Sequence, residues 1–326
     1  WQRAIADDDP FGDAAGARLS EATRTARWYA WRRFLGFVVK HEPDALGLSP
    51  GARLTIERVR AYAAHLAETN QARTVASQID KLYGAAVIMM PDQDWVWLKR
   101  VKARLYAAAP ARSKTGPIIT SLPLLDLGLQ LMDDNSPQVG QRFRLADAVR
   151  YRDGLIITFA AFAPLRRKNL AALQIGQHLV REGDEWIITI RRSESKTAEP
   201  IEFELPEVLK PYLRVYLDIV RPRMLGRSSC DHLWVSYFGQ PLGYSAFWPI
   251  TTKHTRRHLG LQVSPHQFRD AGVTTWAIAR PEQIAVGRDL LGHSNLRTTR
   301  YYNRARGIEA SRTHGGLIAR LRKRSG

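Results

Sequence analysis

The sequence predicts a mainly α-helical protein of two domains, with a small antiparallel β-sheet in the second domain. Three observations lead to this prediction. Apolar residues recur at helical spacing through the first third of the chain, a segment with two prolines and a glycine then interrupts the pattern, and two short strand-like stretches follow much later. A length of 326 residues is more than one average domain needs and is comfortable for two.

The first domain is predicted over residues 19–109 as a bundle of four helices, because its apolar residues recur three and four positions apart. The four apolar stripes are Trp28, Trp31, Leu35 and Val38; Val59, Tyr62, Ala63 and Leu66; Val75, Ile79, Leu82, Ala86 and Met89; and a run from Trp95 to Ala108. Residues 1–18 contain three consecutive aspartates followed by a proline, and we expect them to be disordered.

Residues 110–118 are predicted to be an interdomain linker, and the second domain is predicted over residues 119–326. Its expected elements are helices near Leu122–Met132 and Arg144–Phe162, strands at Trp186–Ile190 and 201–205, a third candidate strand at Leu233–Tyr237, and helices that follow Pro265 and Pro281. Pro164 is expected to end the second of these helices, because proline cannot donate the main-chain hydrogen bond that continues a helix.

The chain is strongly basic, with a formal net charge of +18 and a sequence pI of about 10.4. The positive charge is not confined to a tail, since arginine and lysine recur from Arg24 to Arg324. A charge distributed in this way attracts polyanions, of which nucleic acid is the commonest. The basic residues opposite the apolar stripes of the first domain fit a surface that follows phosphates; they are Arg24, Arg27, Arg32, Arg58, Arg73 and Lys81.

Cysteine content and hydropathy predict a cytoplasmic protein. Cys230 is the single cysteine, so no intramolecular disulfide can form and a reducing compartment is expected. No apolar run approaches the roughly 18 residues that a membrane span needs, so no membrane partner is predicted. The chain begins at Trp1 rather than Met, and its first residues do not have the pattern of a signal peptide.

Two motifs near the C-terminus combine residues that can act on a phosphate. In the first, His266 and Arg269 lie three positions apart at the expected start of a helix, which places them on one face near free backbone N–H groups. In the second, His293 follows a glycine at the end of one helix, and Tyr302 lies a few residues later on the next.

These motifs resemble the signature of the tyrosine recombinase family, the integrases of phages and mobile elements. That signature is H-x-x-R followed by L-G-H-x-x-x-x-T-T-x-x-Y, and the chain matches it with His266, Arg269, His293 and Tyr302 at the family's spacing. The family also has an early arginine after a buried helix, matched by Arg166 in the stretch Pro-Leu-Arg-Arg-Lys-Asn-Leu, and a lysine in a β-hairpin turn. Lys196 lies between the two predicted strands and is assigned to that turn.

The resemblance implies a helical core-binding (SAM-like) DNA-binding domain followed by a catalytic domain with a basic C-terminal helix. It implies that Tyr302 attacks DNA and forms a 3′-phosphotyrosine, while Lys196 protonates the leaving 5′ oxygen. Arg166 and Arg269 would bind the non-bridging oxygens, and His266 or His293 would accept a proton or bind the phosphate. Neither ATP, a metal ion nor another cofactor is implied, and the sequence has no P-loop motif.

The sequence departs from the family pattern at two positions beside the arginines. Asn169 replaces the acidic residue that follows the first arginine, and Asp270 stands where histidine commonly follows the second. Both positions are expected to orient the arginines, so altered detail is predicted rather than lost activity. Tyr301 is the alternative nucleophile, but the number of residues between His293 and the tyrosine in the motif favours Tyr302.

Three further groups of residues carry weaker expectations. Arg167 and Lys168 are expected to be solvated or phosphate-binding neighbours of Arg166. His254 and His258 are four apart on a helix, a spacing that can hold zinc, but without a third ligand they are expected to be solvated or to face DNA. The C-terminal stretch is basic and amphipathic, and it either docks on a neighbouring protomer or packs on its own domain; the residues concerned are Leu317, Ile318 and Leu321.

The expected partner is double-stranded DNA, bound by a homotetramer on two sites that is a monomer or dimer without DNA. Accessory recombinases or DNA-bending proteins are further expected partners, and the expected location is the bacterial nucleoid in the cytoplasm. The biological role is integration, excision or transposition of a mobile element. Two alternatives remain open: DNA relaxation by a type IB topoisomerase-like enzyme, and a non-catalytic DNA-binding protein of the same fold.

Overall fold

A computed structural model describes residues 1–5, 16–110, 119–195, 200–279 and 300–325, and it gives the backbone alone for residues 3–4, 300–309 and 325. The chain divides into two compact units, residues 1–115 and 116–326, which are described separately here. Helices dominate both units, and the described strands form one three-stranded antiparallel sheet in the second unit. The predicted fold class is therefore confirmed.

The described residues of the first unit, 1–5 and 16–110, form five α-helices, and the four predicted from apolar stripes are all present. The helices are α1 (Gln2–Ile5), α2 (Glu21–His41), α3 (Ile56–Ala67), α4 (Ala72–Met89) and α5 (Val96–Ala108). Helices α2 and α3 begin where a hydroxyl side chain accepts a hydrogen bond from the first turn, that of Ser20 from the Thr23 N–H and that of Thr55 from the Arg58 N–H. Helix α4 packs against both α2 and α5, so the apolar stripes face one common core.

The N-terminus differs from the expectation of disorder over residues 1–18. Residues 2–5 form helix α1, and the indole ring of Trp1 stacks on that of Trp28 with the ring centroids 5.6 Å apart. Stacking of two large rings contributes favourable contact area that a composition of polar and acidic residues does not reveal. Residues 6–15, which hold the three aspartates, lie outside the described residues.

The second unit is built around one long buried helix. Its first two helices are α6 (Ser121–Asp133) and α7 (Leu145–Phe162), and α7 is buried from Tyr151 onward. The two helices cross at a pair of glycines. A Cβ atom added at Gly128 would lie 2.8 Å from the carbonyl oxygen of Gly154, and one added at Gly154 would lie 2.7 Å from that of Gly128. Only glycine allows the two backbones to approach so closely.

The sheet lies after a short helix α8 (Arg167–Ala171) and has the order β1 (Leu179–Glu182), β2 (Glu185–Ile190) and β3 (Ile201–Glu204). Strands β1 and β2 pair with Leu179 opposite Ile188, and Ile188 in turn faces Phe203 of β3, so one sheet face lies in the core. Gly183 makes the turn between β1 and β2 with a φ of +63°, a conformation that favours glycine.

One strand was predicted at the wrong place. The strand that completes the sheet beside the two predicted ones is β1, at Leu179–Glu182. Residues 233–237 form only one isolated bridge, between Val235 and Pro241, and a second bridge just before them joins Gln174 and His232. Leu233, Trp234 and Val235 are all buried, so this run lacks the alternation of a strand that covers one face of a sheet. These three residues fill the core of the second unit as irregular chain with a bend at residues 233–234.

The remaining helices of the second unit are α9 (Lys210–Val215), α10 (Arg221–Leu225), α11 (Phe247–Leu259), α12 (Pro265–Ala279) and α13 (Arg300–Ser325), with a π-helical segment at Tyr216–Val220 between α9 and α10. Helix α12 begins at Pro265, as predicted, whereas residues 280–299, which include Pro281, lie outside the described residues. Among the described helices, none is long and apolar enough to cross a membrane.

Candidate active site

Arg166 lies where the buried helix α7 gives way to α8. Helix α7 ends at Phe162, as Pro164 requires, and Leu165 is buried against the core, which leaves Arg166 in extended conformation at the start of α8. Within the described residues, the Nη1 atom of Arg166 is buried and has no hydrogen-bond partner. A buried guanidinium nitrogen without an acceptor is costly, and an anion bound there would remove that cost.

Arg269 lies close to Arg166, although the two are far apart in sequence. It is 5% exposed on helix α12, and its Nη1 donates a hydrogen bond to the main-chain carbonyl oxygen of Pro164. Burial, and next the positive charge of Arg166, lower the pKa of Arg269 to about 10, while Asp270 acts in the opposite direction. Because a positive charge disfavours another nearby, this effect places the guanidinium group of Arg166 near that of Arg269.

His266 occupies the first turn of α12 and is exposed, one turn before the buried Arg269. The helix starts there because the Gln267 side chain accepts a hydrogen bond from the Ser264 N–H, with 2.8 Å between the Gln267 Oε1 and the Ser264 nitrogen. The His266 side chain thus lies at the surface, whereas the Arg269 side chain, one turn further along the helix, is buried.

The other predicted site residues lie wholly or partly outside the described structure. Lys196 and His293 fall in the segments 196–199 and 280–299, which are outside the described residues. Tyr301 and Tyr302 lie in the first turn of α13, where the backbone alone is described. Of the six predicted site residues, the structure therefore places the side chains of Arg166, His266 and Arg269, and it brings the two arginines together.

Tyr244 is a residue beside the site that the sequence reasoning missed. The guanidinium carbon of Arg167 lies 3.9 Å from the centre of the Tyr244 ring, and Arg167 Nη2 donates to the Tyr244 hydroxyl at 2.5 Å. Arg167 is therefore held in a cation–π contact. This differs from the first of the two predicted alternatives, in which Arg167 is simply solvated. The two residues are far apart in the chain, so no local sequence pattern could indicate this contact.

The two departures from the family pattern occupy different environments. Asn169 is buried in α8, and within the described residues its Nδ2 atom has no hydrogen-bond partner. Asp270 is partly exposed beside Arg269, where its charge favours the charged form of the guanidinium. Helix α8 is fixed from its other side by Trp234, whose indole N–H donates to the Leu170 carbonyl oxygen at 2.8 Å.

The expectation that His254 is solvated or faces DNA is wrong. Its side chain is buried, with Nε2 3.1 Å from Asp153 Oδ2, and Asp153 in turn pairs with the buried Arg152. A buried carboxylate needs such partners, and the local spacing of His254 and His258 carries no information about an aspartate a hundred residues away. In the described part of the chain, no group of three or more histidine, cysteine, aspartate or glutamate side chains could hold a metal ion.

The C-terminal helix α13 packs on its own domain in this single chain, the second of the two predicted alternatives. Ile318 is fully buried in the core of the second unit, and α13 lies against strand β3. His314 is buried between the rings of Phe162 and Trp276, and its Nε2 is 3.2 Å from the carbonyl oxygen of Ala161. Burial lowers the pKa of His314 to about 4 despite that hydrogen bond.

Curated relatives include two proteins named tyrosine recombinase XerD. One, from Staphylococcus saprophyticus, is 24% identical over 30% of this chain and 33% of its own length. The other, from Staphylococcus aureus strain Mu50, is 24% identical over 47% of this chain and 50% of its own length. The chain therefore spans a third to a half of the length of these relatives.

A solved structure of the XerH site-specific recombinase, bound to a palindromic difH substrate in a post-cleavage complex, has the same fold. It superposes with a TM-score of 0.56 at 16% sequence identity and covers 86% of this chain and 75% of its own.

The model of the phage integrase family matches residues 138–307. That range is more than half of the chain, and it contains both described arginines and the four other predicted site residues. Because the match, the curated relatives and the shared fold agree, the chain belongs to the phage integrase family, the tyrosine recombinases.

Proposed function

We propose that this protein is a site-specific DNA recombinase that cuts and rejoins DNA through a 3′-phosphotyrosyl bond to Tyr302. The observation that carries the proposal is the pair of guanidinium groups at Arg166 and Arg269, brought together by the bond from Arg269 to the Pro164 carbonyl. Two positive charges at a partly buried site bind a phosphate better than any neutral ligand. Among the described residues, Nη1 of Arg166 has no hydrogen-bond partner and could donate to a phosphate oxygen.

The two arginines stabilise the charge that develops when a phosphodiester is attacked. The pentacoordinate transition state carries more negative charge on its non-bridging oxygens than the ground state does. Guanidinium donors that are already oriented bind this charge without reorganisation, which is usually the largest contribution to catalysis. The planar guanidinium group of an arginine can donate two parallel hydrogen bonds to two phosphate oxygens.

The bond changes in the proposed reaction balance without an added reagent. The Tyr302 oxygen attacks the phosphorus, its proton passes to a base, and the 5′ oxygen leaves with a proton from Lys196. His266 or His293 accepts the tyrosine proton or binds the phosphate. A tyrosine hydroxyl has a pKa of about 10 in water, and the neighbouring guanidinium charges favour its ionised form. The phosphotyrosyl ester retains the bond energy, so rejoining is the same reaction in reverse and needs neither ATP nor a metal ion.

The proposed substrate is double-stranded DNA, which both units contact. The formal charge of +18 supports a polyanionic substrate, and the structural neighbour XerH is a site-specific recombinase bound to a palindromic difH substrate. Residues 19–109 are proposed as the core-binding domain and residues 119–326 as the catalytic domain. Strand exchange between two sites requires several active sites at once, so we propose that the protein acts as a homotetramer. Its proposed role is to integrate, excise or transpose a mobile element. Accessory recombinases or DNA-bending proteins are proposed as further partners, and the nucleoid as the location.

A covalent-adduct assay tests the proposed chemistry. A binding site is first selected from a random duplex library and then supplied with a nick near the cleavage position, so that the cut strand diffuses away and traps the adduct. The protein is incubated with this DNA in EDTA and analysed on a denaturing gel. We expect a protein–DNA adduct that Tyr302→Phe abolishes and Tyr301→Phe retains.

Four outcomes would contradict parts of the proposal. An adduct that requires a divalent metal would refute metal independence, and loss of the adduct in Tyr301→Phe alone would assign the nucleophile to Tyr301. No adduct with any selected site would favour a protein that only binds DNA. Relaxation of a supercoiled plasmid that lacks the selected site would favour the topoisomerase-like alternative, because strand exchange requires paired sites.

A further inference from the structure

The second unit contains a cleft that the proposed reaction does not use. It lies between the end of α6, the first half of α7 and the second half of α11, and it has a volume of about 440 Å³. Volumes of a few hundred Å³ are typical of sites that hold a small molecule. Asp153, which lines the cleft, precedes Phe162 by nine positions on α7, so roughly 13 Å of helix separate it from the end that leads to Arg166.

Buried hydrogen bonds hold two walls of this cleft in fixed positions. His254 of α11 places its Nε2 3.1 Å from Oδ2 of Asp153 of α7. Oδ1 of Asp153 accepts two hydrogen bonds from Arg152, at 2.5 and 3.0 Å, and Nη1 of Arg152 donates to the Val235 carbonyl oxygen at 2.8 Å. All three side chains are buried, so these bonds are shielded from water and join the two helices at a fixed spacing.

This series of hydrogen bonds ends at a nitrogen with a free lone pair. The Asp153 carboxylate pairs with Arg152 and accepts, so Nε2 of the neutral His254 ring carries the proton and Nδ1 can only accept. His254 lines the cleft and is 6% exposed, and within the described residues its Nδ1 has no hydrogen-bond partner. A buried acceptor without a donor is costly, so a ligand hydroxyl group that reaches it would remove that cost.

The mouth of the cleft carries an excess of positive charge. Lys253 and Arg257 line it from one face of α11, both are exposed, and the described residues form no ion pair with either. Arg150 also lines the cleft, but its guanidinium group pairs with Asp147 at 3.1 Å. Asp134, at the end of α6, is an exposed acid of the lining and offsets one of the two free charges. The cleft therefore favours an anion.

An aromatic ring lies in the same lining as these cations. Tyr237 lines the cleft and is 54% exposed. It is held on a turn in which the Ser236 hydroxyl accepts hydrogen bonds from the N–H groups of Phe238 and Gln240, at 3.3 and 3.2 Å. Planar bases stack favourably on exposed aromatic rings. One cleft thus offers two free cations, a hydrogen-bond acceptor and a ring face.

We propose that this cleft binds a nucleoside monophosphate. Lys253 and Arg257 bind its phosphate, because a phosphate dianion matches the two free cations. Tyr237 stacks on its base, and Nδ1 of His254 accepts a hydrogen bond from a sugar hydroxyl. The site goes beyond the proposed DNA cleavage and does not rest on it, so a failed cleavage assay leaves it unchanged.

Isothermal titration calorimetry of the full-length protein with adenosine monophosphate tests the site. At about 0.15 M salt, which screens general attraction to a basic protein, we expect saturable binding that Arg257→Ala weakens about tenfold. Arg256→Ala is the matched control, since Arg256 is the adjacent exposed cation of α11 and lies outside the lining, and it should bind within about twofold of the wild type. Equal weakening in the two variants, or no saturable binding, would overturn the inference.

Removal of the acid in the lining should act in the opposite direction. Asp134→Asn deletes a negative charge beside the phosphate, so we expect adenosine monophosphate to bind about threefold more tightly. A residue that only supported the fold would not increase affinity when it is replaced. Weaker or unchanged binding in this variant would contradict a phosphate at the mouth of the cleft.

The base contact is tested by comparison of two ligands. Tyr237→Ser should weaken adenosine monophosphate about fivefold and leave the affinity for inorganic phosphate, measured by competition, unchanged. Phe238→Ser is the matched control, because Phe238 is the next residue of the same turn, is exposed and lies outside the lining. Equal effects of Tyr237→Ser on both ligands would exclude stacking on the base.

Two further measurements distinguish other places and other sources for the phosphate. Arg166→Ala should bind adenosine monophosphate as the wild type does, and loss of binding there would move the ligand to the arginine pair. Fluorescence anisotropy with a blunt duplex that has 5′-hydroxyl ends should give equal affinities for Arg256→Ala and Arg257→Ala. If Arg257→Ala alone weakens duplex binding and adenosine monophosphate does not bind, the cleft holds a backbone phosphate of DNA and the inference is wrong.

Discussion

The two arginines of the site are held by different means, and this difference decides how each responds to substitution. Arg269 is buried and bonded to the carbonyl oxygen of Pro164, so it serves both the fold and the site. Arg166 begins a helix and, among the described residues, has a buried Nη1 atom with no partner, so more of its bonding capacity is available for a ligand. We therefore expect Arg166 substitutions to change chemistry with little change in stability.

The first prediction concerns Arg166→Lys. Lysine keeps the charge but offers a single ammonium group in place of two parallel N–H donors, so it cannot match two phosphate oxygens at once. We expect the rate of adduct formation to fall by about 10²-fold, while the melting temperature changes by less than about 2 °C. Rapid-quench cleavage assays measure the rate, and Arg150→Lys, on the exposed side of α7, is the control. Wild-type cleavage by Arg166→Lys would exclude a bidentate phosphate contact.

The second prediction concerns His314, whose pKa of about 4 lies below the 6.5 of an ordinary histidine because the side chain is buried. Between these two values the unfolded chain binds a proton that the folded chain excludes, so the free energy of unfolding decreases as the pH falls from 6.5 to 4. Above pH 6.5 the residue makes no such contribution. One pKa unit corresponds to about 1.4 kcal/mol, so the loss reaches about 3 kcal/mol at most.

His314→Gln isolates this contribution, because the amide can still donate to the Ala161 carbonyl oxygen but does not titrate. Urea unfolding of both proteins at pH 7 and at pH 4.5 gives the comparison. The difference between the two pH values should be smaller by about 2 kcal/mol in the glutamine variant. An equal pH dependence in both proteins would mean that His314 is not buried in its neutral form.

At this scale the sequence predicted candidate site residues but not the contacts around them. His266 and Arg269 were predicted because a short motif brings them together within one helix turn. Tyr244 was missed because it contacts Arg167, which lies many positions away in the chain. A single sequence contains no signal for such pairs until the fold places them side by side.

The elements were predictable where one face is buried and the other is not. The helices of the first unit, with their apolar stripes, agree closely with the predicted ranges. Strand β1 was missed because its sequence, Leu-Val-Arg-Glu, is too short to show alternation. The run at residues 233–237 was wrongly predicted to be a strand. Its apolar residues Leu233, Trp234 and Val235 are all buried, and a short apolar run has no period that separates a strand from irregular core chain.

The third prediction concerns the crossing of α6 and α7. Gly128→Ala places a methyl group 2.1 Å from the Thr158 hydroxyl oxygen and 2.8 Å from the Gly154 carbonyl oxygen, so the helices must separate. We expect a loss of about 1–3 kcal/mol in unfolding free energy, although alanine alone favours a helix by up to about 1 kcal/mol.

Gly316→Ala is the matched control in the same unit, because nothing lies within 4 Å of the added methyl group in helix α13. It should raise the free energy of unfolding by about 0.5–1 kcal/mol. Urea unfolding monitored by circular dichroism measures both variants. Equal effects of the two substitutions would contradict a close approach of α6 and α7.

The property that concerns the whole molecule is its high net positive charge. A net charge of +18, distributed along both units, gives a long-range attraction for polyanions that does not depend on the residues of the candidate site. Composition alone predicted this property, because charge needs no fold to be counted. Which bases the protein reads could not be predicted, since base contacts depend on side-chain positions relative to a groove.

The fourth prediction is therefore a steep dependence of DNA binding on salt. Cations released from the phosphates drive binding, so the affinity for a duplex should fall at least about 10²-fold between 50 and 200 mM salt. Fluorescence anisotropy with a labelled duplex measures this. Tyr302→Phe should show the same slope as the wild type, because the tyrosine contributes no charge to binding. A shallow slope would contradict phosphate contacts as the main source of affinity.

The hydrogen bond from Arg269 to the Pro164 carbonyl oxygen ties the two halves of the arginine pair through the main chain. Every residue type has a carbonyl oxygen, so the side chain at position 164 can change without loss of the acceptor. An alanine scan would therefore register only the arginine and would report half of the contact. Replacement of the amide between Pro164 and Leu165 by an ester weakens the carbonyl as an acceptor and leaves all side chains in place. The ester also removes the Leu165 N–H that donates to the Ala163 carbonyl oxygen, so the loss of stability that it causes is an upper limit for the contribution of the Pro164 acceptor.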